Sequence, residues 1–303
     1  MSETDGLIVA FRLDGKGGGA AIDWDGVRSW TPGDETLWVH LDRNREPACD
    51  WVRDESGLDS TTADALMAAE TRPRAFTTAQ GMMVILRGVN LNPGADPEDM
   101  VGLRLWLEDH RVISVRYRPL MAVNDLRGLT EQGRGPTGPG EFLVMVTDRL
   151  VERMGPVVAD LSERLDELDV GLAEMEPADA RGELRRLRHT AIVLRRHLAP
   201  QRDVLARLQV EQLPWLSQGD KLALREVADR TVRYVEELDE VRERAIVLQD
   251  ELMTRLSEQM QKTMYILTVV AAVMLPLSFV TGLLGVNVGG IPGDKSDLSL
   301  IHI

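Results

Sequence analysis

The architecture predicted from this sequence is an α+β or α/β domain, then antiparallel helices, then a very long stalk helix that continues into one transmembrane helix. Three observations predict it. Short, alternating apolar runs broken by turn residues extend from Leu7 to about Val123, the signature of strands. Beyond residue 142 apolar residues recur at threes and fours, the helical period. Met264 to Gly285 then runs about 22 residues without a formal charge, long enough to cross a bilayer.

The strands are expected in LIVAFRL (7–13), AAIDWDGV (20–27), TLWVHLD (36–42), GMMVILRGVNL (81–91), GLRLWLEDH (102–110) and RVISVRY (111–117). Residues 46–70, with Asp59 or Ser60 as a cap, predict one or two short helices. Residues 1–130 thus form the α/β domain, and the Gly- and Pro-rich stretch 131–141 is a linker. An antiparallel helical pair fills 142–218: one helix from Phe142 to about Met175, the other from Ala178 to about Leu213. From Asp220 the apolar seam Leu224, Val227, Thr231, Val235, Leu238, Val241, Ala245, Leu248, Leu252 and Leu256 meets no Gly or Pro before Pro276. The stalk helix is therefore placed at 219–262, the transmembrane helix at 263–285, and an outer loop with the C-terminus at 286–303. A helix of this length needs a bundle around it.

Composition narrows the function classes. Lys and Arg number 35 against 49 Asp and Glu, a net charge of −14 that argues against a nucleic-acid partner and suits attraction of cations. With a single cysteine, Cys49, one chain can build neither a disulfide framework nor a thiolate zinc site. The N-terminus carries acids where a secretory signal carries Lys or Arg, so the large domain is expected in the cytoplasm, and Arg255 and Lys262 before the apolar segment agree with that side.

Several local features invite a site. The glycines of Asp14-Gly-Lys-Gly-Gly-Gly19 lack phosphate-loop spacing and fit a hairpin turn. His189 and His197 lie eight apart on one helix, off a chelating i, i+4 spacing, and are expected as exposed side chains; His40 and His110 have no ligand partners at suitable spacing. The acidic run Glu236, Glu237, Asp239, Glu240 and Glu243 is interleaved with Arg233, Arg242 and Arg244, the pattern of a solvated, ion-paired helix face. No nucleophile–base or paired-carboxylate arrangement supports an enzyme. In the apolar segment, Met264, Leu267, Ala271, Leu275, Ser278 and Gly282 recur at threes and fours and define one face of apolar, small and hydroxyl-bearing side chains.

Leu275-Pro-Leu-Ser-Phe-Val280, followed by Thr281-Gly-Leu-Leu-Gly-Val-Asn287 and Val-Gly-Gly-Ile-Pro-Gly293, resembles the CorA metal-ion transporter superfamily. Gly285-Val286-Asn287 stands where that superfamily has a Gly-Met-Asn triplet and is similar to the variant of its ZntB-like zinc transporter branch. LWVHLDR, AETRPR, RGVNLNPGADPEDM and LRLWLEDHRVISVR resemble the same branch, so the likeness covers residues 7 to 293. It implies a funnel-shaped homopentamer in the inner cell membrane, its large domain in the cytoplasm and its stalk helices continuing into a central pore. By the same resemblance Asn287 rings the outer mouth and holds a hydrated cation, Gly285 and Val286 shape the mouth, and Ser278, Gly282, Leu275, Ala271, Leu267 and Met264 line the conduit. Gln261 falls at its cytosolic end. The transported species would be Zn²⁺, then Mg²⁺ or another divalent cation, with no resident cofactor.

Members of that family carry a second transmembrane helix after a short outer loop. Residues 294–303 are too few and too polar to span a bilayer, so the expectation is a chain without that helix, from a frameshift, truncated gene or cloning remnant. Two functions are expected in order: divalent-cation transport, and, as the alternative, a membrane-tethered oligomeric scaffold without transport.

Overall fold

The computed structural model describes residues 5–33, 35–69, 72–172 and 174–284. The chain divides into two compact units, one through Leu248 and one from Gln249. The first holds a seven-stranded sheet of β1 (Leu7–Leu13), β2 (Gly19–Ala21), β3 (Thr36–Asp42), β4 (Arg74–Thr77), β5 (Met82–Gly88), β6 (Val101–Leu107) and β7 (Arg111–Arg116), in the order β2-β1-β3-β7-β6-β5-β4. Its one parallel pair, β3 with β7, lies at the centre; every other pairing is antiparallel.

Alternation along the strands builds two cores, because successive side chains leave a strand on opposite faces. On β5, Met82, Val84 and Leu86 join one core while Met83 and Ile85 join the other. The first core is closed by α4 (Met121–Glu131), α5 (Pro139–Glu152), α7 (Pro177–Val210) and the start of α8 (Gln218–Leu284), through residues such as Leu126, Phe142, Leu205 and Leu224. Trp38 stands at its centre, stacked on Phe11 at 5.6 Å and edge-on to Phe142 at 5.0 Å. The second core is closed by α1 (Trp24–Arg28), α2 (Glu46–Asp50), a π-helical turn at Trp51–Glu55 and α3 (Ser60–Met67). The unit is therefore a sheet between two helical layers.

Several buried polar groups between these layers find partners. Ser114 Oγ donates to the Val39 carbonyl at 3.1 Å, so it can only accept from Trp38 Nε1 at 2.9 Å and His40 Nδ1 at 2.8 Å. That assigns the proton of His40 to Nδ1, and burial holds the imidazole neutral with its pKa lowered to about 3. Arg104, 2% exposed, donates to the carbonyls of Ala68 and Ala69 just past α3, where Arg43 also donates.

Three expectations change. The run 20–27 is a strand only to Ala21, because the Asp23 carboxylate accepts from the Gly26 amide and caps α1. The helix expected from Phe142 is two helices, α5 and α6 (Gly155–Gly171), separated at Arg153 and Met154; Pro156 has no amide to donate and opens α6 instead. Two elements, β4 and α4, arise where none is expected.

The stalk seam of α8 is buried from Leu224 to Leu248. Ion pairs tie its polar flanks to neighbouring helices: Arg230 to Asp148 on α5, Arg244 to Asp166 and Asp169 on α6, and Arg195 on α7 to Asp239. α8 continues through Pro276 to Leu284 without interruption.

Candidate functional site

Among the described residues, one helix is long and apolar enough to cross a membrane, and its apolar end is unburied. Every described side chain from Ser257 to Leu283 is exposed, Leu275 at 70% and Leu267 at 58%. A run of exposed apolar residues this long needs a lipid or protein environment, since water penalises each of them.

On this helix, at 100° per residue, Met264, Leu267, Ala271, Leu275, Ser278 and Gly282 fall within about 80° of arc and span about 27 Å, close to the hydrocarbon thickness of a bilayer. The structure thus brings all six onto one narrow face. Gly285, Val286 and Asn287, and the tail 294–303, lie outside the described residues.

The polar groups of the segment divide into two kinds. Thr268 Oγ1 donates to the Met264 carbonyl at 2.7 Å and Thr281 Oγ1 to the Leu277 carbonyl at 3.0 Å, so both hydroxyls are satisfied inside the helix, as an apolar surrounding requires. Ser278, on the candidate face, makes no such side-chain bond among the described residues and keeps its hydroxyl for water or a neighbouring helix. Pro276 withholds the amide that would pair the Ala272 carbonyl, so a second polar atom is released six residues before Ser278.

The other candidates resolve as structure. The glycine cluster is the β1–β2 hairpin turn: Asp14 accepts from the amides of Lys16 at 2.7 Å and Gly18 at 2.9 Å, leaving those amides nothing to offer an anion. These hydrogen bonds hold the Asp14 carboxyl below its usual range, and Gly15 and Gly17 take the positive φ values of the turn. Within the acidic run, Asp239 contacts Arg195 and Arg242, and Glu243 contacts Arg242, the ion-paired face expected from the sequence. No group of three or more His, Cys, Asp or Glu side chains is arranged to hold a metal among the described residues.

His197 departs from expectation. His189 is exposed, but His197 is only 8% exposed, turned under α7 beside Gln201, whose Oε1 accepts from the Arg87 amide at 2.7 Å. β4 is too short to pair with β5 at Arg87, and Gln201 takes that place. Burial first, then the charges of Arg87, Arg196 and Arg72, lower the His197 pKa to about 4. Sequence reading misses this cluster because its members are scattered from residue 72 to 197 and share no local motif.

Comparison with known proteins places the geometry in context. The family model described as CorA-like Mg²⁺ transporter protein matches residues 33–301, a span that takes in nearly all of the tail. The divalent cation transporter CmaX of Pseudomonas aeruginosa is 42% identical over 296 residues, covering 95% of this chain and 88% of that protein. The zinc transport protein ZntB of Yersinia pestis is 36% identical over 287 residues, covering 95% and 86%. The solved structure of full-length CmaX superposes with a TM-score of 0.88 at 40% identity, over 97% of this chain and 91% of that one. The complete CorA magnesium transporter of Methanocaldococcus jannaschii, at 17% identity and a TM-score of 0.78 over 97% and 92%, shares the fold.

Proposed function

The chain belongs to the family of CorA-like Mg²⁺ transporter proteins, and from that premise we propose that it carries divalent metal cations across a membrane, zinc ahead of magnesium, through a homopentameric pore. The family is one of transporters, and the reading needs no covalent chemistry. The observation that carries it is the 80° face of α8, whose side chains are left exposed among the described residues. Symmetric copies around an axis would cover that face and turn it toward a shared lumen.

In this reading Leu267, Leu275 and Met264 form apolar rings that gate by dewetting, while Ala271, Ser278 and Gly282 leave room for water. Asn287, with Gly285 and Val286 shaping the backbone, holds the ion at the outer mouth through its hydration shell. Neutral oxygens suit conduction, because direct His or thiolate ligation would bind zinc too tightly to release it, and the segment 264–285 has neither residue. The acidic large domain, on the cytoplasmic side of the inner membrane, would concentrate cations near the pore. The relatives named as divalent cation and zinc transporters support the cargo.

The test is uptake of Zn²⁺ and Mg²⁺ by liposomes holding the purified chain, beside an Asn287→Ala variant. Saturable Zn²⁺ entry that the variant loses, with its oligomer intact, is the expected result. Entry equal in both proteins would remove Asn287 from the ion path, and no entry in either would leave the scaffold alternative standing.

A further inference from the structure

A cavity of about 730 Å³ lies in the large domain, where α7 faces the connection between β5 and β6. Its volume is that of a small-ligand pocket rather than of a single ion. Its lining includes Arg72, Arg87 and Arg196, drawn from three separate segments, together with His197. Three cations line one cavity, and an anion among them would reduce their mutual repulsion.

Arg87 Nη1 donates to the Met100 carbonyl at 2.7 Å, which fixes that guanidinium at the wall. Arg72 and Arg196 make no ion pair among the described residues. His197 is more than nine-tenths buried, and its Nδ1 has no hydrogen-bond partner. A buried polar atom left unpaired is costly unless a ligand or water completes it.

The cavity also has acidic residues, and their placement matters. Asp96, Glu98 and Asp99 all sit on the β5–β6 connection. Asp99 is paired with Arg118, and Glu98 accepts from Thr190 Oγ1 at 3.1 Å. The charges acting on His197 are those of Arg87, Arg196 and Arg72. His189 also lines the cavity.

We propose that this cavity binds a small phosphorylated metabolite, its phosphate on Arg72, Arg87, Arg196 and the His197 imidazole and its hydroxyl or amino donors toward Asp96 and Glu98. Arginine forks match phosphate oxygens in pairs, and several guanidinium groups suit the three oxygens and charge of about −2 of a phosphate better than the single charge of a carboxylate. The site lies wholly outside the apolar segment, and its occupancy is independent of whether the chain conducts ions.

Isothermal titration of the full chain in detergent with inorganic pyrophosphate at neutral pH tests it. Saturable binding is expected, weakened about tenfold or more by Arg196→Gln or Arg72→Gln, each the loss of one charged hydrogen-bond donor. Both side chains are exposed, so neither substitution threatens the fold. Arg202→Gln, at a half-buried arginine on the same helix that is paired with Asp203 and does not line the cavity, should leave binding unchanged. No saturable binding at millimolar pyrophosphate, equal binding by all variants, or equal weakening by Arg202→Gln would each overturn the assignment.

Discussion

A carboxylate moved around α8 at nearly constant depth separates a lumen from lipid. Ala271 lies on the candidate face, whereas Val273 is about 180° from the direction of Met264 and Gly282, only about 3 Å further along the axis. Both stand near the middle of the segment, so the expense of inserting Ala271→Asp or Val273→Asp into the bilayer is common to the two. Only assembly distinguishes them. Asp at 271 would be hydrated in the pore, while Asp at 273 would remain against lipid or another apolar helix at about 2.5–3.5 kcal/mol per chain. That difference corresponds to about two orders of magnitude in the ratio of assembled to misassembled protein. Size-exclusion chromatography of both variants in mild detergent gives this ratio directly. Recovery of assembled Ala271→Asp with loss of Val273→Asp is expected; equal recovery, or the reverse order, would refute the placement of the face.

Ser114→Ala removes the oxygen that accepts from both Trp38 and His40, and should destabilise the large domain by about 2–5 kcal/mol in chemical denaturation, since two buried donors are left unpaired. His40 is neutral in the native state with a pKa of about 3, against about 6.5 when unfolded, so its contribution is complete above pH 6.5 and is lost as pH falls toward 3. Unfolding followed from pH 7 to 4 should show stability dropping by about 1 kcal/mol per pH unit from this group, with a smaller slope in His40→Gln. Asp59→Ala should cost about 1 kcal/mol, measured the same way, because its carboxylate accepts from the Thr62 amide and caps α3.

What was legible in the sequence was what repeats locally. The strands β1, β3, β5, β6 and β7 announce themselves by alternation or continuous apolar runs, and α8 by a seam whose first break is Pro276. The four residues of β4 are too few to show a period, and their edge position leaves only Ala75 buried. The strand expected through Val27 gave way to one capping carboxylate, Asp23, whose hydrogen bond outweighs the β-branched residues beside it. The Phe142 helix divides because its apolar spacing continues past Pro156 although its hydrogen-bond ladder does not. Nothing in the chain foretells that β3 pairs with β7 in parallel, a contact between segments some seventy residues apart. The same distinction holds for sites: the α8 face lies within one helix and reads directly, whereas the arginines around His197 meet only after β5, α7 and the loop before β4 have packed.

The most direct test joins the face to the flux. Cys49 is the only cysteine, so a Cys49→Ser background accepts single cysteines at Ser278, on the candidate face, or at Val273, opposite to it. Zn²⁺ entry into liposomes would be followed before and after a charged, membrane-impermeant thiol reagent. Rapid loss of flux in Ser278→Cys with Val273→Cys unaffected is the predicted result; block at Val273→Cys alone, or at neither position, would contradict the claim that this face lines the ion path.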